Sequence, residues 1–414
     1  MLTKSILYST PKEERSFYLF WLGFILYTLC YASPLTSHII IIICQVIQFA
    51  SLILMVSTSF GFFQFKLNNP YLKTLFTLYA IWLFVTIIRG YVAFNFVYIK
   101  NFLFNPTNGI LYFSPFLLFF PRKLIFYKKL FNVIIILGIF YILFDILFIG
   151  DLLNSDDSNE KSKAIVEMLS ALSFSCGFIL LTLFYHSARR QILAAGVIFL
   201  ALFFAVVRAR RGLILMYADI ILFSYIIYIF QSKSKLLILY LTVVITLAGA
   251  IYASGVYNPL NNRVYGFLFS RGEEDTRSGV ALYFYDDMKT KDWIIGRGIN
   301  GEYYCPDIEE DQVTDYRQTI ETGYLQTILN GGTISLGLFL LMAVPAMLKG
   351  IFSSKNILSK AAGVWILMSI INSYPATVTK FELSYLLVWI SIGICYNKEI
   401  RNMPESQMRL SLMN

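Results

Sequence analysis

Histidine is almost missing from this chain: His38 and His186 are the only two in 414 residues, and they lie far apart. A zinc or other histidine-based metal site needs imidazoles converging at set spacings, so that chemistry is not expected. Charged residues are also scarce, at 14%. Of the five cysteines, Cys30, Cys44, Cys176 and Cys395 fall in apolar runs and only Cys305 lies in a polar stretch. That distribution is no disulfide framework, and leaves a Cys30–Cys305 bridge as the one pairing still open. There is no Walker-type phosphate loop, so ATP-driven work is not expected, and no nucleophilic serine elbow. No internal repeat, low-complexity tract or soluble domain can be read.

What the chain does have is apolar length. Hydrophobic residues make up 57% of it, and the mean hydropathy is +0.65. The 37 phenylalanines and 28 tyrosines suit lipid interfaces. The expected fold class is all-α: a polytopic integral membrane protein of about twelve spans, one domain over 1–414. The spans are placed at 16–32, 38–60, 71–89, 108–121, 130–149, 164–185, 191–207, 212–231, 236–253, 322–348, 359–375 and 380–397. The fourth is short and contains Pro115, so a kinked, re-entrant or interfacial segment is expected there. No small-residue cleavage pattern follows the first run, which therefore reads as a retained span. One large external loop, 254–321, separates the ninth and tenth spans.

The net charge of +9 is accounted for by loop anchors, without nucleic acid as a partner. Lysine and arginine alternate between loops so that both termini fall on the cytoplasmic side. Three places break the alternation: Arg89, the Arg208/Arg210/Arg211 cluster and the arginines of the long loop all fall outside. Positive charge resists that placement, and an anionic ligand is the simplest compensation. The competing reading is a miscounted span, which would make Arg208–Arg211 an ordinary cytoplasmic anchor.

A diphosphate calls for planar, permanently charged donors, which arginine supplies in pairs and lysine does not. Gly212 is expected to permit a turn that lets two of the three clustered arginines converge. Glu321, just ahead of an apolar run, could take a proton from an attacking hydroxyl, or simply complement a helix dipole. The segment Gly279–Trp293 reads as a short amphipathic helix on the membrane surface, with Val280, Leu282, Tyr283, Phe284 and Trp293 as its apolar contacts. Glu273-x-Asp275 and Glu309-x-Asp311 read as solvated surface, and no metal site or cofactor is assigned. Asp145, Asp219 and Glu382 are the acids at membrane depth; they are scattered, unlike the chains of buried acids in proton-coupled carriers.

Arg277, Gly296-Arg-Gly-Ile, Glu321-Thr-Gly-Tyr-Leu-Gln and Gly331-Gly, preceded by Arg208-Ala-Arg-Arg-Gly, together resemble the bacterial O-antigen polymerase (Wzy-type) and O-antigen ligase superfamily. The resemblance covers about 200–330 in motif and the whole chain in topology. It implies inverting, metal-independent glycosyl transfer at the outer face of the bacterial cytoplasmic membrane. Glycan on undecaprenyl diphosphate would pass to a lipid-linked repeat unit, for O-antigen, capsule or exopolysaccharide. Its partners would be those lipid-linked oligo- and polysaccharides and the membrane lipid, and it leaves room for a chain-length regulator. By the resemblance, Arg208, Arg210, Arg211 and Arg277 bind the diphosphate. Glu321 and Arg211 serve catalysis, with Arg89, Arg297, Arg317 and Tyr324 as secondary candidates. The ligase branch carries a His-Asn pair where this chain has Glu321-Thr322, which favours a polymerase over a ligase. A flippase or carrier for lipid-linked oligosaccharide is the alternative from another class; it would line a path with charge rather than crowd it at one face.

Overall fold

The computed structural model describes residues 9–35, 37–90, 96–153, 160–232, 276–306, 314–374 and 379–413. The first helix, α1 (Pro11–Ala32), starts on a complete capping box: the Glu13 N–H donates to the Thr10 hydroxyl, and the Glu13 carboxylate accepts from the Thr10 N–H. Pro11 occupies the first helical position, where a missing N–H costs nothing. Two ion pairs, Lys123 with Glu13 at 2.7 Å and Lys129 with Glu14 at 2.5 Å, then tie α1 to α5 (Leu124–Leu147).

Between them run α2 (His38–Phe62), α3 (Pro70–Gly90) and the short α4 (Phe96–Phe104). Beyond α5 lie α6 (Ile149–Leu153), α7 (Glu160–Ser173), α8 (Cys176–Leu181), α9 (Ala188–Val207) and α10 (Arg211–Gln231). A polar subdomain follows, with α11 (Thr276–Asp287), α12 (Thr290–Ile295) and the antiparallel pair β1 (Tyr303–Tyr304) and β2 (Tyr316–Arg317). The chain returns through α13 (Gly323–Phe352), α14 (Ile357–Asn372) and α15 (Leu383–Tyr396). It ends on α16 (Lys398–Asn402) and α17 (Glu405–Met413).

Among the described residues, six helices are long and apolar enough to cross a membrane: α2, α3, α5, α9, α10 and α13. The helices α14 and α15 are apolar but shorter. The chain is therefore a multi-pass, all-α membrane protein. Two of the expected spans take another form. Residues Gly109–Phe119 make a 3-10 segment with Pro115 inside it, where the missing N–H interrupts an α-helical ladder. The expected span 164–185 breaks into α7, α8 and a 3-10 turn at Leu183–Tyr185. The break falls at Ser173, whose hydroxyl shares a 2.7 Å hydrogen bond with the Tyr217 hydroxyl. The expected span 236–253 lies outside the described residues.

The long helices run back and forth, so the bundle has two ends. One, called here the terminal end, gathers the start of α1, the turn before α3 and helices α16 and α17: Arg122 donates to the Lys66 carbonyl, and Asn356 to that of Ile400. The other, the loop end, gathers the ends of α3 and α9, the start of α13 and the polar subdomain: Arg89 donates to the Ile295 and Gly296 carbonyls.

Candidate functional site

The polar subdomain has a core of its own. Val280, Phe284 and Met288 of α11 pack with Tyr303, Cys305, Ile320, Leu325 and Leu329. The expectation of an amphipathic helix over Gly279–Trp293 is corrected accordingly. The segment is two helices, α11 and α12, parted at 288–289; Val280 and Phe284 enter this core, while Leu282, Tyr283 and Tyr285 are exposed. Neither Cys30 nor Cys305 is in a disulfide, so the bridge left open by the sequence is absent.

The subdomain is locked to the bundle by a backbone knot. The segment 295–300 passes between the end of α3 and a break in α13, where Gly332 takes φ of +69°. A Cβ on Gly332 would stand 2.0 Å from the Ile294 carbonyl oxygen, and one on Gly296 (φ +71°) would stand 2.5 Å from Asn330. Only residues without a side chain allow that interlock. The Arg297 and Gly298 N–H groups donate to the Leu329 and Asn330 carbonyls, and Trp82 Nε1 donates to that of Gly331. The glycines singled out in the sequence thus build the frame.

Two of the arginines belong to the same frame. Arg89 closes the C-terminal end of α12 by donating from Nη1 and Nη2 to the Ile295 and Gly296 carbonyls at 2.6 and 2.5 Å. Arg297 spends all five of its N–H groups on the subdomain. Nη1 donates to Asp287 and the Glu302 carbonyl, Nη2 to Asp292 and the Asp287 carbonyl, and Nε to Asp292. Burial opposes its charge, and Asp287 and Asp292 more than offset that, so the guanidinium is held above its ordinary range. No donor is left over for a phosphate.

The Arg208–Arg211 cluster is built differently. Helix α9 ends in a Schellman turn, with the Arg210 N–H donating to the Ala205 carbonyl and the Ala209 N–H to that of Val206. Ala209 takes φ of +49°, the only non-glycine among the described residues with a positive φ. The turn expected at Gly212 therefore falls at Ala209, and Gly212 is already inside α10. An alanine there costs about 1 kcal/mol more than glycine would. The buried Arg208 donates to the Leu152 carbonyl from Nε at 3.0 Å and from Nη2 at 2.6 Å, which fastens α6. Arg210 meets the Glu167 carboxylate at 3.2 Å. Arg211 is exposed at the first position of α10, where its charge adds to the positive end of the helix dipole.

Beside this turn lies a cleft that sequence reasoning did not single out. It measures about 90 Å³ and is lined by Met216, Gly323, Asn372, Lys380, Glu382 and Ser384, among others. The Lys380 ammonium stands 5.9 Å from the centre of the Tyr31 ring. Burial opposes its charge, but Tyr31, Glu382 and Glu167 outweigh that and hold it above the ordinary lysine range. Glu167 therefore lies under the influence of two cations, Arg210 and Lys380. Burial pushes the Glu382 carboxyl above its ordinary range, with Lys380 and Ser384 pulling it back. Asn372 is 5% exposed, and neither its oxygen nor its nitrogen has a hydrogen-bond partner among the described residues. One signal was available in the sequence: Lys380 and Glu382 interrupt the apolar pattern where a continuous span was drawn.

The remaining candidates lie in the polar subdomain and at the start of α13. Glu321 is exposed two positions before Gly323, which lines the cleft. Tyr324 stacks on Tyr374 with ring centres 6.2 Å apart. Arg317 is in β2, and the backbone of Arg277 is in the first turn of α11. What the cleft itself holds is one ammonium, Lys380, beside one carboxylate of raised proton affinity, Glu382. In comparison with known proteins, the chain matches no family model, no curated protein and no solved structure.

Proposed function

We propose that the chain polymerises lipid-linked polysaccharide repeat units, by inverting glycosyl transfer from an undecaprenyl-diphosphate-linked glycan to a lipid-linked acceptor. In this reading the loop end faces away from the cytoplasm of a bacterium, and both termini face it. The observation that carries the reading is the strained turn at Ala209. It sets Arg210 and Arg211 at the loop end, with Arg210 meeting Glu167, whose charge also acts on the cleft residue Lys380. Permanently charged donors in such a place suit a diphosphate leaving group and need no metal ion to stabilise it.

A second feature supports it. An apolar groove of about 420 Å³, lined by Phe20, Met55, Phe60, Phe102 and Phe113, ends at Phe381, between the cleft residues Lys380 and Glu382. A long hydrocarbon tail can lie in such a groove while its phosphorylated head reaches the cations. Two carboxylates are candidates for taking the acceptor hydroxyl proton: Glu321 at the mouth and Glu382 inside.

The test is reconstitution of the purified chain with undecaprenyl-diphosphate-linked repeat units, scoring both polymer length and movement of lipid across the bilayer. The reading expects a ladder of lengthening products that Glu321→Gln or Glu382→Gln reduces, the larger loss marking the base. Lipid movement without any lengthening would establish the carrier instead.

A further inference from the structure

The largest cleft among those described lies at the terminal end, away from the loop-end site, and measures about 530 Å³. That is within the range of about 300–1,000 Å³ typical of small-ligand pockets. Its floor is apolar, with Leu72, Leu118, Phe120 and Ile390, and its rim is polar.

What decides the ligand is how the rim's hydrogen-bonding groups are already used. The Asn69 side-chain oxygen accepts from the Leu72 N–H at 3.0 Å, capping α3. The Asn397 oxygen accepts from the N–H groups of Glu399 and Ile400 at 3.0 and 3.2 Å. These bonds fix both amides with oxygen inward, so only their NH₂ groups are left to offer. The Asn397 NH₂ is buried without a partner among the described residues. Tyr396 lines the same cleft at 7% exposure, and its hydroxyl is likewise unpartnered. Arg122 uses one nitrogen on the Lys66 carbonyl and keeps the rest of its guanidinium. The exposed Lys398 adds a second cation, against Glu399 as the one carboxylate of the lining. The α3 helix begins in the wall at Pro70 and presents the positive end of its dipole.

Two amide oxygens of the lining are spent, while Asn68, Asn402 and Glu399 keep theirs; the two cations, Arg122 and Lys398, outnumber the one carboxylate, and that balance favours an anion. The apolar floor selects one attached to hydrocarbon. We propose that this cleft binds a phosphate-bearing ligand, either the headgroup of an anionic membrane lipid or a soluble phosphate ester. The site does not depend on the glycosyl-transfer reading.

The test uses the full chain in maltoside micelles, which carry no phosphate, and follows its melting temperature. One arm adds phosphatidylglycerol, the other glycerol phosphate, with Arg122→Gln, Tyr396→Phe and the surface variant Lys291→Gln, at the loop end, in parallel. Removing an unpartnered buried hydroxyl should leave ligand-free Tyr396→Phe at least as stable as wild type. Stabilisation by phosphatidylglycerol, with the half-saturating amount raised about tenfold by Arg122→Gln and unchanged by Lys291→Gln, assigns the lipid headgroup. The same pattern with glycerol phosphate alone assigns a soluble ester. No stabilisation in either arm, or equal responses of Arg122→Gln and Lys291→Gln, overturns the proposal.

Discussion

The two ends of the bundle carry positive charge in different ways. At the terminal end, lysines pair with carboxylates in the first turn of α1, partly open to solvent, and hold α1 against α5. At the loop end the cations are mainly arginines, and much of their bonding turns inward. Arg89 and Arg208 close helix ends through carbonyls, and Arg297 is saturated by two aspartates and two carbonyls. The location of a guanidinium thus does not identify a ligand group. The number of its donors already committed does. By that measure Arg297 is frame; at the α9–α10 turn Arg208 is buried, Arg210 meets Glu167 and Arg211 is exposed.

The sharpest way to break this contrast is Arg297→Lys. Lysine keeps the charge but replaces a five-donor fork with a point, leaving Asp287 and Asp292 poorly paired. The expected loss is about 3 kcal/mol, seen as lower melting temperature and faster proteolysis of the polar subdomain. A loss too small to measure would show that Arg297 is not the frame. Gly332→Ala comes next, at about 2–3 kcal/mol, because the new Cβ meets a carbonyl oxygen in a backbone conformation alanine resists. Ala209→Gly should act in the opposite direction and raise stability by about 1 kcal/mol in chemical denaturation, since glycine accepts the left-handed turn.

The smallest expected effect sits at the other end. The hydrogen bond from Lys129, with a further one from Ser9, holds the Glu14 carboxyl, ahead of the apolar run of α1, below its ordinary value of 4.5. A lowered carboxyl contributes stability that is fully present above 4.5 and is lost as pH falls through the native value. Glu14→Gln should therefore melt below wild type near neutrality and converge with it in acid. The gap should be only a few tenths of a kcal/mol, because the pair is partly screened by solvent. A gap that widens in acid would reverse the sign and remove the pair as its cause.

Much of the bundle is legible in the sequence, because apolar runs of bilayer length and the Thr10–Glu13 cap are local signals. The departure from a plain span at Gly109–Phe119 is legible too, from Pro115; the break after Ser173, which hydrogen-bonds to Tyr217 on another helix, is not. The arginine cluster at 208–211 stands out by composition. Sorting the arginines does not: Arg89 meets carbonyls more than two hundred positions away, and sequence spacing gives no hint of it. The cleft was missed for the same reason. Its polar side chains come from Asn372 and the 379–384 segment; Glu382 stands out as an acid at membrane depth, but no spacing joins it to Asn372.

The most direct measurement is polymer length made from lipid-linked repeat units by the chain carrying both Arg210→Gln and Arg211→Gln, next to wild type. The glycosyl-transfer account predicts products reduced by about a hundredfold in rate while the melting temperature shifts by only a few degrees. A folded double variant that still builds wild-type ladders would contradict it.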